Sequence, residues 1–528
     1  MIDYQLIFYI FARFWVLQVV FMFIRKLRNR SGSTSLQIIS KENGRYKVLK
    51  TVGCATTWRE IEKLESLARE EIEKMTGQQK LFGFSVDDAI EKVILNLENS
   101  SIRTLGPELI FGKIFNHIGF NQIQSDMFRH LVLSRLAFPL SKLKTCEYLY
   151  RYQGITLDID AVYRFLDKLQ SQYKDMVESV CFEHTKRILG GSVSAVFYDM
   201  TTLYFEASDE DDLRKIGYSK DGKHQHPQIV IGLLVGLGGL PIGYDIFEGN
   251  TYEGHTLIPF LEKMSSKFNL SKPIVIADSG LLTTKNILAL EKDDYEYILG
   301  GRIKNESEYL KKQIVEHSYL DGECRSFAKE GKTRLIVGYS KERAKKDAYN
   351  RERGIKRIER QVKSGKLTKA NLNQRGYNKF LKMSGEINIE MDYKKVNEDA
   401  RWDGLKGYIT NSKLSDNDAI ENYKNLWHIE KGFRMSKTDL KIRPVFHHLH
   451  HRIEAHLCIA FAAYAVYKEL ERILYQEKSS LSIKKAAEVT HNMYQITYTL
   501  PESKQTKSKL LKMDPQQEEL YQIVLRNF

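Results

Sequence analysis

Two short apolar runs, each closed by an aspartate, restrict what this chain folds into more than any other feature. They are Ser194-Ala-Val-Phe-Tyr-Asp199 and Lys272-Pro-Ile-Val-Ile-Ala-Asp278. Runs of this kind, with little polar alternation, read as buried strands. A carboxylate at the end of such a strand is costly unless something compensates it. The carboxyl edge of an open α/β sheet is also where such folds place their ligands. The surrounding text continues the pattern. Residues 193–205, 228–236 and 241–248 read as strands, 255–268 as a helix, 273–277 as a strand, 284–292 as a helix and 295–299 as a further strand. Strands and helices in this order predict an α/β core built on a mixed sheet.

The rest of the 528 residues falls into segments of different texture. Residues 35–52 predict a β-hairpin turning at Asn43-Gly44, a favoured turn dipeptide, and 58–75 a helix with dense Glu/Lys pairing. The pattern is helical from about 86 to 189. Within it, 141–150 and 160–169 form two short helices around Gly154, either a helix-turn-helix that reads DNA or a helical hairpin packed on the next domain. The stretch 304–401 breaks the rhythm and reads as an insertion, part β and part basic helix. The core pattern returns at 404–410, followed by a helix over 416–437 and a strongly apolar helix over 453–473. The expected layout is therefore an apolar extension (1–21), a hairpin-plus-helix region (22–80), a helical DNA-binding region (81–190), a core in two pieces (191–303 and 402–475), the insertion (304–401) and a C-terminal tail (476–528).

The net charge of +14 favours a polyanionic partner. It is concentrated: residues 341–382 hold 15 Lys and Arg against 4 Asp and Glu. That segment reads either as a solvated linker or as an arm that contacts phosphates. Interleaved Tyr349, Tyr377 and Phe380, and the helical spacing of Arg353, Lys356, Arg357 and Arg360, favour the arm. Five dispersed cysteines without a CxxC pair fit a reducing, cytoplasmic setting and exclude a disulfide framework. Residues 6–24 are apolar but carry Arg13 mid-segment, which costs about 3 kcal/mol on insertion into a bilayer. Their basic cluster follows the apolar run, the reverse of a signal peptide. Translation from Met22 is the expectation, and no membrane partner is expected.

A third acid completes the pattern. Glu430 lies in Tyr423-Lys-Asn-Leu-Trp427-His-Ile-Glu430-Lys-Gly-Phe433-Arg434-Met-Ser-Lys437. Asp199 or Asp278 alone is equally well explained as a turn or helix cap. Together with Glu430 they form a set of hard oxygen ligands suited to two Mg²⁺ or Mn²⁺ ions over a phosphodiester. Lys437 lies two helical turns beyond Glu430, Tyr423 two turns before it, and Arg434 at i+4 presents a guanidinium to the same phosphate. Trp427, Ile429 and Phe433 read as core packing. The run His447-His448-Leu-His450-His451 lacks a partnering Cys or acid at ligand spacing, so it reads as a loop beside DNA or a helix cap rather than a zinc site.

These residues resemble the DDE transposases of bacterial insertion sequences, in the branch whose last acid sits in a Tyr-x2-Arg-x3-Glu-x6-Lys signature. Tyr423, Glu430 and Lys437 match that spacing, and Leu426 stands at the arginine position. Gly217-Tyr-Ser-Lys-Asp221, Pro227-Gln228, Gly232-Leu-Leu-Val235, Leu240-Pro-Ile-Gly243, Phe247-Glu-Gly-Asn250 and Arg443-Pro444 are similar as well. The resemblance implies a ribonuclease H-like core with a β-containing insertion before the last acid, and cut-and-paste transposition on double-stranded DNA with terminal inverted repeats. It also implies Asp199, Asp278 and Glu430 as catalytic metal ligands, Tyr423, Arg434 and Lys437 as contacts to the DNA end, and a homodimer in the synaptic complex. Two other readings remain: a non-catalytic DNA-binding regulator or inactive remnant, and a glycosidase-like hydrolase. Cations around Glu430 oppose the last, because they disfavour a protonated general acid.

Overall fold

The computed structural model describes residues 22–42, 44–76, 86–364, 367, 372–373, 376–384 and 388–528. The apolar extension and Asn43 of the expected turn lie outside them. The chain divides into two compact units, residues 1–103 with 495–511, and 104–494 with 512–528.

In the first unit, β1 (Met22–Arg28), β2 (Thr34–Glu42) and β3 (Arg45–Ala55) form an antiparallel meander. The expected hairpin is β2–β3, with Glu42 opposite Arg45 and Gly44 at φ +77°, a conformation glycine adopts without strain. α1 (Trp58–Thr76) lies against it: Gly53 has no side chain where Leu64 packs, and Leu36, Ile38, Ile39, Ala55 and Ala68 are buried. α2 (Val86–Leu95) and β4 (Ile102–Thr104) follow.

The second unit opens with α3 (Lys113–Ile118), α4 (Asp126–Ala137), α5 (Lys142–Tyr148), α6 (Ile159–Lys168) and α7 (Lys174–Ile188). α5 and α6 are the two short helices expected around Gly154, which sits at φ +68°. Ser125, Ser141 and Asp158 accept backbone N–H groups and so cap α4, α5 and α6.

The main sheet is built from β5 (Ala195–Tyr204), β6 (Gln228–Val235), β7 (Pro241–Glu248), β8 (Ile274–Ala277), β9 (Tyr297–Gly301), β10 (Cys324–Ala328) and β11 (Arg334–Tyr339), with β14 (Leu405–Thr410) after a small hairpin, β12 (Leu381–Ser384) and β13 (Asn388–Met391). Its order is β10-β11-β14-β9-β8-β5-β6-β7. β5, β8 and β9 run parallel; β6 pairs antiparallel with β5 and β7 antiparallel with β6, extending the sheet on one side. That five-stranded arrangement is the ribonuclease H-like core the sequence led us to expect. The stretch 304–401, read as an insertion, contributes β10 and β11 to the main sheet itself. Leu335, Ile336 and Val337 are all fully buried there, which only a strand covered on both faces permits.

The continuous apolar runs have the same cause. Ala195 and Phe197 face one side of the sheet and Val196 and Tyr198 the other, and both faces are covered. α8 (Leu257–Phe268), α9 (Thr284–Lys292) and α10 (Glu308–Glu316) contribute to the core on the Tyr198 side. On the Phe197 side the core is shared with α4, α6, α7 and α15 (His450–Gln476), a 27-residue helix buried on nearly all sides. Among the described residues no helix is long and apolar enough to cross a membrane. Within the basic segment, α11 (Lys341–Lys363) and α12 (Tyr393–Ala400) enclose a small core of Ile358, Phe380, Leu381, Met391 and Val396 with the β12–β13 hairpin.

The helix expected over 416–437 is two helices, α13 (Asp416–Lys424) and α14 (Trp427–Arg434), followed by a wider turn, Met435–Asp439. The junction tightens to i→i+3 bonds, Asn425 C=O accepting from the His428 N–H and Leu426 C=O from that of Ile429. α16 (Ile483–Thr490) and α17 (Pro515–Asn527) complete this unit, while β15 (Tyr494–Thr499) and β16 (Thr506–Leu510) form a sheet with β4.

Candidate active site

Parallel pairing of β5 with β8 sets Tyr198 opposite Ala277, so Asp199 and Asp278 follow at neighbouring positions. Asp278 lies just beyond β8 at its carboxyl edge, whereas Asp199, expected at a strand end, lies within β5, which runs on to Tyr204 paired with β6. Each accepts one local N–H, Asp199 from Met200 (2.7 Å) and Asp278 from Gly280 (2.8 Å). The Asp278 bond caps a turn and the Asp199 bond joins the next residue of β5; both use only a fraction of each carboxylate's acceptor capacity. Burial pushes the Asp199 carboxyl up to about 6, against the pull of Lys220 and the Met200 N–H, while Asp278 and Glu253 add to the rise.

Two loop residues join the pair. Lys220, between β5 and β6, places its ammonium 3.6 Å from Asp199 and 2.9 Å from Glu253, and donates to the Met200 carbonyl at 2.7 Å. Glu253, between β7 and α8, reaches the Asp278 turn: a Cβ on Gly280 would meet its carboxylate. A fourth acid and a cation thus stand at this edge. Neither follows from the chain's periodicity; only the quoted run 217–221 marked Lys220's neighbourhood.

Glu430 arrives on the exposed face of α14, whose other face buries Ile429 and Phe433. Its link to the strand-borne pair runs through Tyr423. That phenol is 6% exposed, its hydroxyl lies against Gly300, and its ring meets Tyr408 edge-on with the Lys406 ammonium 4.5 Å from its centre. Burial lifts the phenol well above the usual tyrosine value, and the charges of Asp278, Tyr408, Glu430 and Asp199 add to the rise. Among the described residues no three His, Cys, Asp or Glu side chains close around a single point. The donor set is all hard oxygen, and Lys220 already marks a place where positive charge is stabilised, so the chemistry of the residues present fits a divalent cation.

The remaining expected contacts lie in different surroundings. Arg434 is exposed. Lys437 is turned inward: its side chain is 9% exposed and pairs with Asp221 at 3.1 Å, which Arg443 also engages at 2.5 Å. Arg353, Lys356, Arg357 and Arg360 are exposed along α11, with Lys356 held 2.7 Å from Glu352. Trp427, expected in the core, is 49% exposed; it stacks on His428 and lies under the Lys431 ammonium. The histidine run leads into α15, with His448 before the helix accepting from Arg214, and His450 and His451 in its first turn beside Asp211 and Asp167.

An open groove of about 340 Å³ adjoins the Asp278 turn, lined by Tyr423, Ser279, Arg302, Lys304, Arg343 and Lys406 among others. Arg302 donates to the Ser279 carbonyl. Burial, reinforced by Arg343, holds Lys406 below the usual lysine value, with Glu430 pulling the other way. Of these cations only Arg343 fell in a segment singled out from sequence, the basic run 341–382; Arg302, Lys304 and Lys406 each sit alone at a strand end or loop.

The transposase DDE domain model matches residues 193–466, just over half the chain, and spans all three acids. The chain belongs to the transposase DDE domain family. No curated protein sequence matches it. Among solved structures it is similar to the piggyBac transposase synaptic complex with hairpin DNA, at 10% identity and a TM-score of 0.37, over 73% of this chain and 78% of that one.

Proposed function

We propose that this DDE-family protein is a divalent-metal-dependent transposase that cleaves DNA at the ends of an insertion sequence and transfers the freed strand. The observation that supports the proposal is the β5–β8 register, which sets Asp199 and Asp278 at neighbouring positions beside Lys220 and Glu253, with the buried Tyr423 phenol feeling the charge of both aspartates and of Glu430. Asp199, Asp278 and Glu430 would hold two Mg²⁺ or Mn²⁺ ions, which supply activation of the attacking hydroxyl and stabilisation of the leaving oxygen. The chain's own groups do the positioning. The Tyr423 phenol, kept protonated, donates to a phosphate oxygen. Lys406, Arg343 and Arg302 line the adjoining groove and neutralise the strand as it enters. Lys220, paired with Asp199 and Glu253, offsets the repulsion among the clustered acids. The partner is double-stranded DNA with terminal inverted repeats, held by a homodimer in the cytoplasm, with Arg434, Lys437 and the α11 cations as further backbone contacts.

Replacement of any one of the three acids by Ala should abolish Mg²⁺-dependent nicking of a duplex carrying the element's end, while salt-sensitive binding of that duplex persists. Nicking by Asp278→Ala at the wild-type rate defeats the assignment. Binding without nicking by the wild-type chain would instead mark a non-catalytic regulator.

A further inference from the structure

A second cationic site lies outside the groove just described. Residues 441–447 and α4, α5, α6 and α15 enclose a cavity of about 420 Å³ lined by Arg135, Lys142, Lys441, Arg443, His447 and His456 among others, with no carboxylate in its walls. Arg443 is answered by Asp221 outside the lining. Among the described residues, Arg135 and Lys142 have no carboxylate partner. Both are 5% exposed; Arg135 reaches only the Leu440 carbonyl at 3.4 Å, and the charged neighbour beside Lys142 is Arg135 itself. Burial, with Arg135 beside it, drives Lys142 well below the usual lysine range, and burial lowers Arg135 to about 10, so a bound anion would stabilise the charged form of both.

A third group is incomplete in a complementary way. His456, 7% exposed, donates Nε2–H to the Ile442 carbonyl at 3.2 Å, which leaves Nδ1 as a bare acceptor, buried and without a partner. His447 stands beside it, 5.6 Å between ring centres, held neutral at about 4 by burial and by Lys142, Arg135, Arg452 and His448. The cavity therefore offers cationic donors and one acceptor, and lacks negative charge and one proton.

We propose that this cavity is a phosphate-binding site that takes a phosphate still carrying a proton, with anionic oxygens on Lys142 and Arg135 and the remaining O–H donated to His456 Nδ1. Inorganic phosphate and the terminal phosphomonoester of a DNA strand share that chemistry; an internal phosphodiester lacks the proton. Lys441, at the mouth, adds long-range attraction. Phosphate binding is measured without cleavage, so the site stands or falls independently of the strand-transfer proposal.

The test uses the full-length chain and titration calorimetry with inorganic phosphate, beside anisotropy with a labelled oligonucleotide bearing either a 5′-phosphate or a 5′-hydroxyl. Wild type should bind phosphate, Lys142→Met should lose about tenfold or more in affinity, and Lys441→Ala about threefold. Lys142→Met removes an unanswered buried charge and keeps the stem, so its melting temperature should equal or exceed that of wild type, and only wild type should gain from added phosphate. Sulfate, without the proton, should bind more weakly than phosphate. A 5′-phosphate preference that disappears in Lys142→Met identifies the strand terminus as the source; phosphate binding without that preference identifies the free ion. No phosphate binding by wild type, or equal affinity in Lys142→Met, overturns the proposal.

Discussion

Lys220 touches Asp199, Glu253 and the Met200 carbonyl at once. Burial works against its charge, yet Asp199 and Glu253 outweigh burial and hold the ammonium above the usual lysine range. It therefore stabilises a cluster of acids that would otherwise repel one another. Lys220→Met should lower the melting temperature in EDTA by about 3 °C, corresponding to about 1 kcal/mol for partly exposed ion pairs. Millimolar Mg²⁺ or Mn²⁺ should restore most of the loss, giving the variant a larger ion-induced rise than wild type, read by scanning fluorimetry. An identical rise in both proteins would separate Lys220 from the ion site. The two aspartates were legible in the sequence because a charge breaking an apolar run is itself a signal, although Asp199 lies within β5 and only Asp278 ends its strand. Lys220 and Glu253 were not: each sits in a loop without periodicity, brought to the edge by where β6 and β7 turn back.

At the scale of elements, α11 shows how a basic run becomes a structured arm. Gly354 and Ile358 face the small core with Phe380 and Val396, so the helix is anchored on one side. The opposite side presents Arg353, Lys356, Arg357 and Arg360 to solvent. Changing these four to Gln preserves helix propensity. It should reduce the slope of log K against log salt for duplex DNA by about 3, the fourth charge being partly answered by Glu352. Anisotropy titrations at several salt concentrations measure this, and an unchanged slope removes α11 from the interface. Helical spacing made the arm visible from sequence. The membership of β10 and β11 in the main sheet was hidden, because strand pairing across about 70 intervening residues leaves no local trace. The break between α13 and α14 was equally hidden: no Gly or Pro marks Asn425-Leu426.

Across the whole molecule, the core of the larger unit is organised on α15, and its buried charges decide how that unit answers acid. Glu469 is fully buried and held by both ends of the Arg472 guanidinium at 2.6 and 2.8 Å, with His184 of α7 3.3 Å away. Burial opposes its ionisation, yet Arg472 and His184 outweigh burial and bring the carboxyl down to about 2. A carboxyl whose folded value lies below its unfolded value of about 4.3 contributes its full stabilisation above that pH, and loses it as pH falls towards the folded value. Glu469→Gln keeps one acceptor but no charge. It should cost about 2 kcal/mol at pH 7, seen as a lower urea midpoint by circular dichroism. The gap between variant and wild type should stay constant down to about pH 4.5 and narrow progressively towards pH 2. A gap that persists undiminished at pH 2.5 would mean that Glu469 stabilises α15 through packing, and that its charge is not what ties this helix to α7.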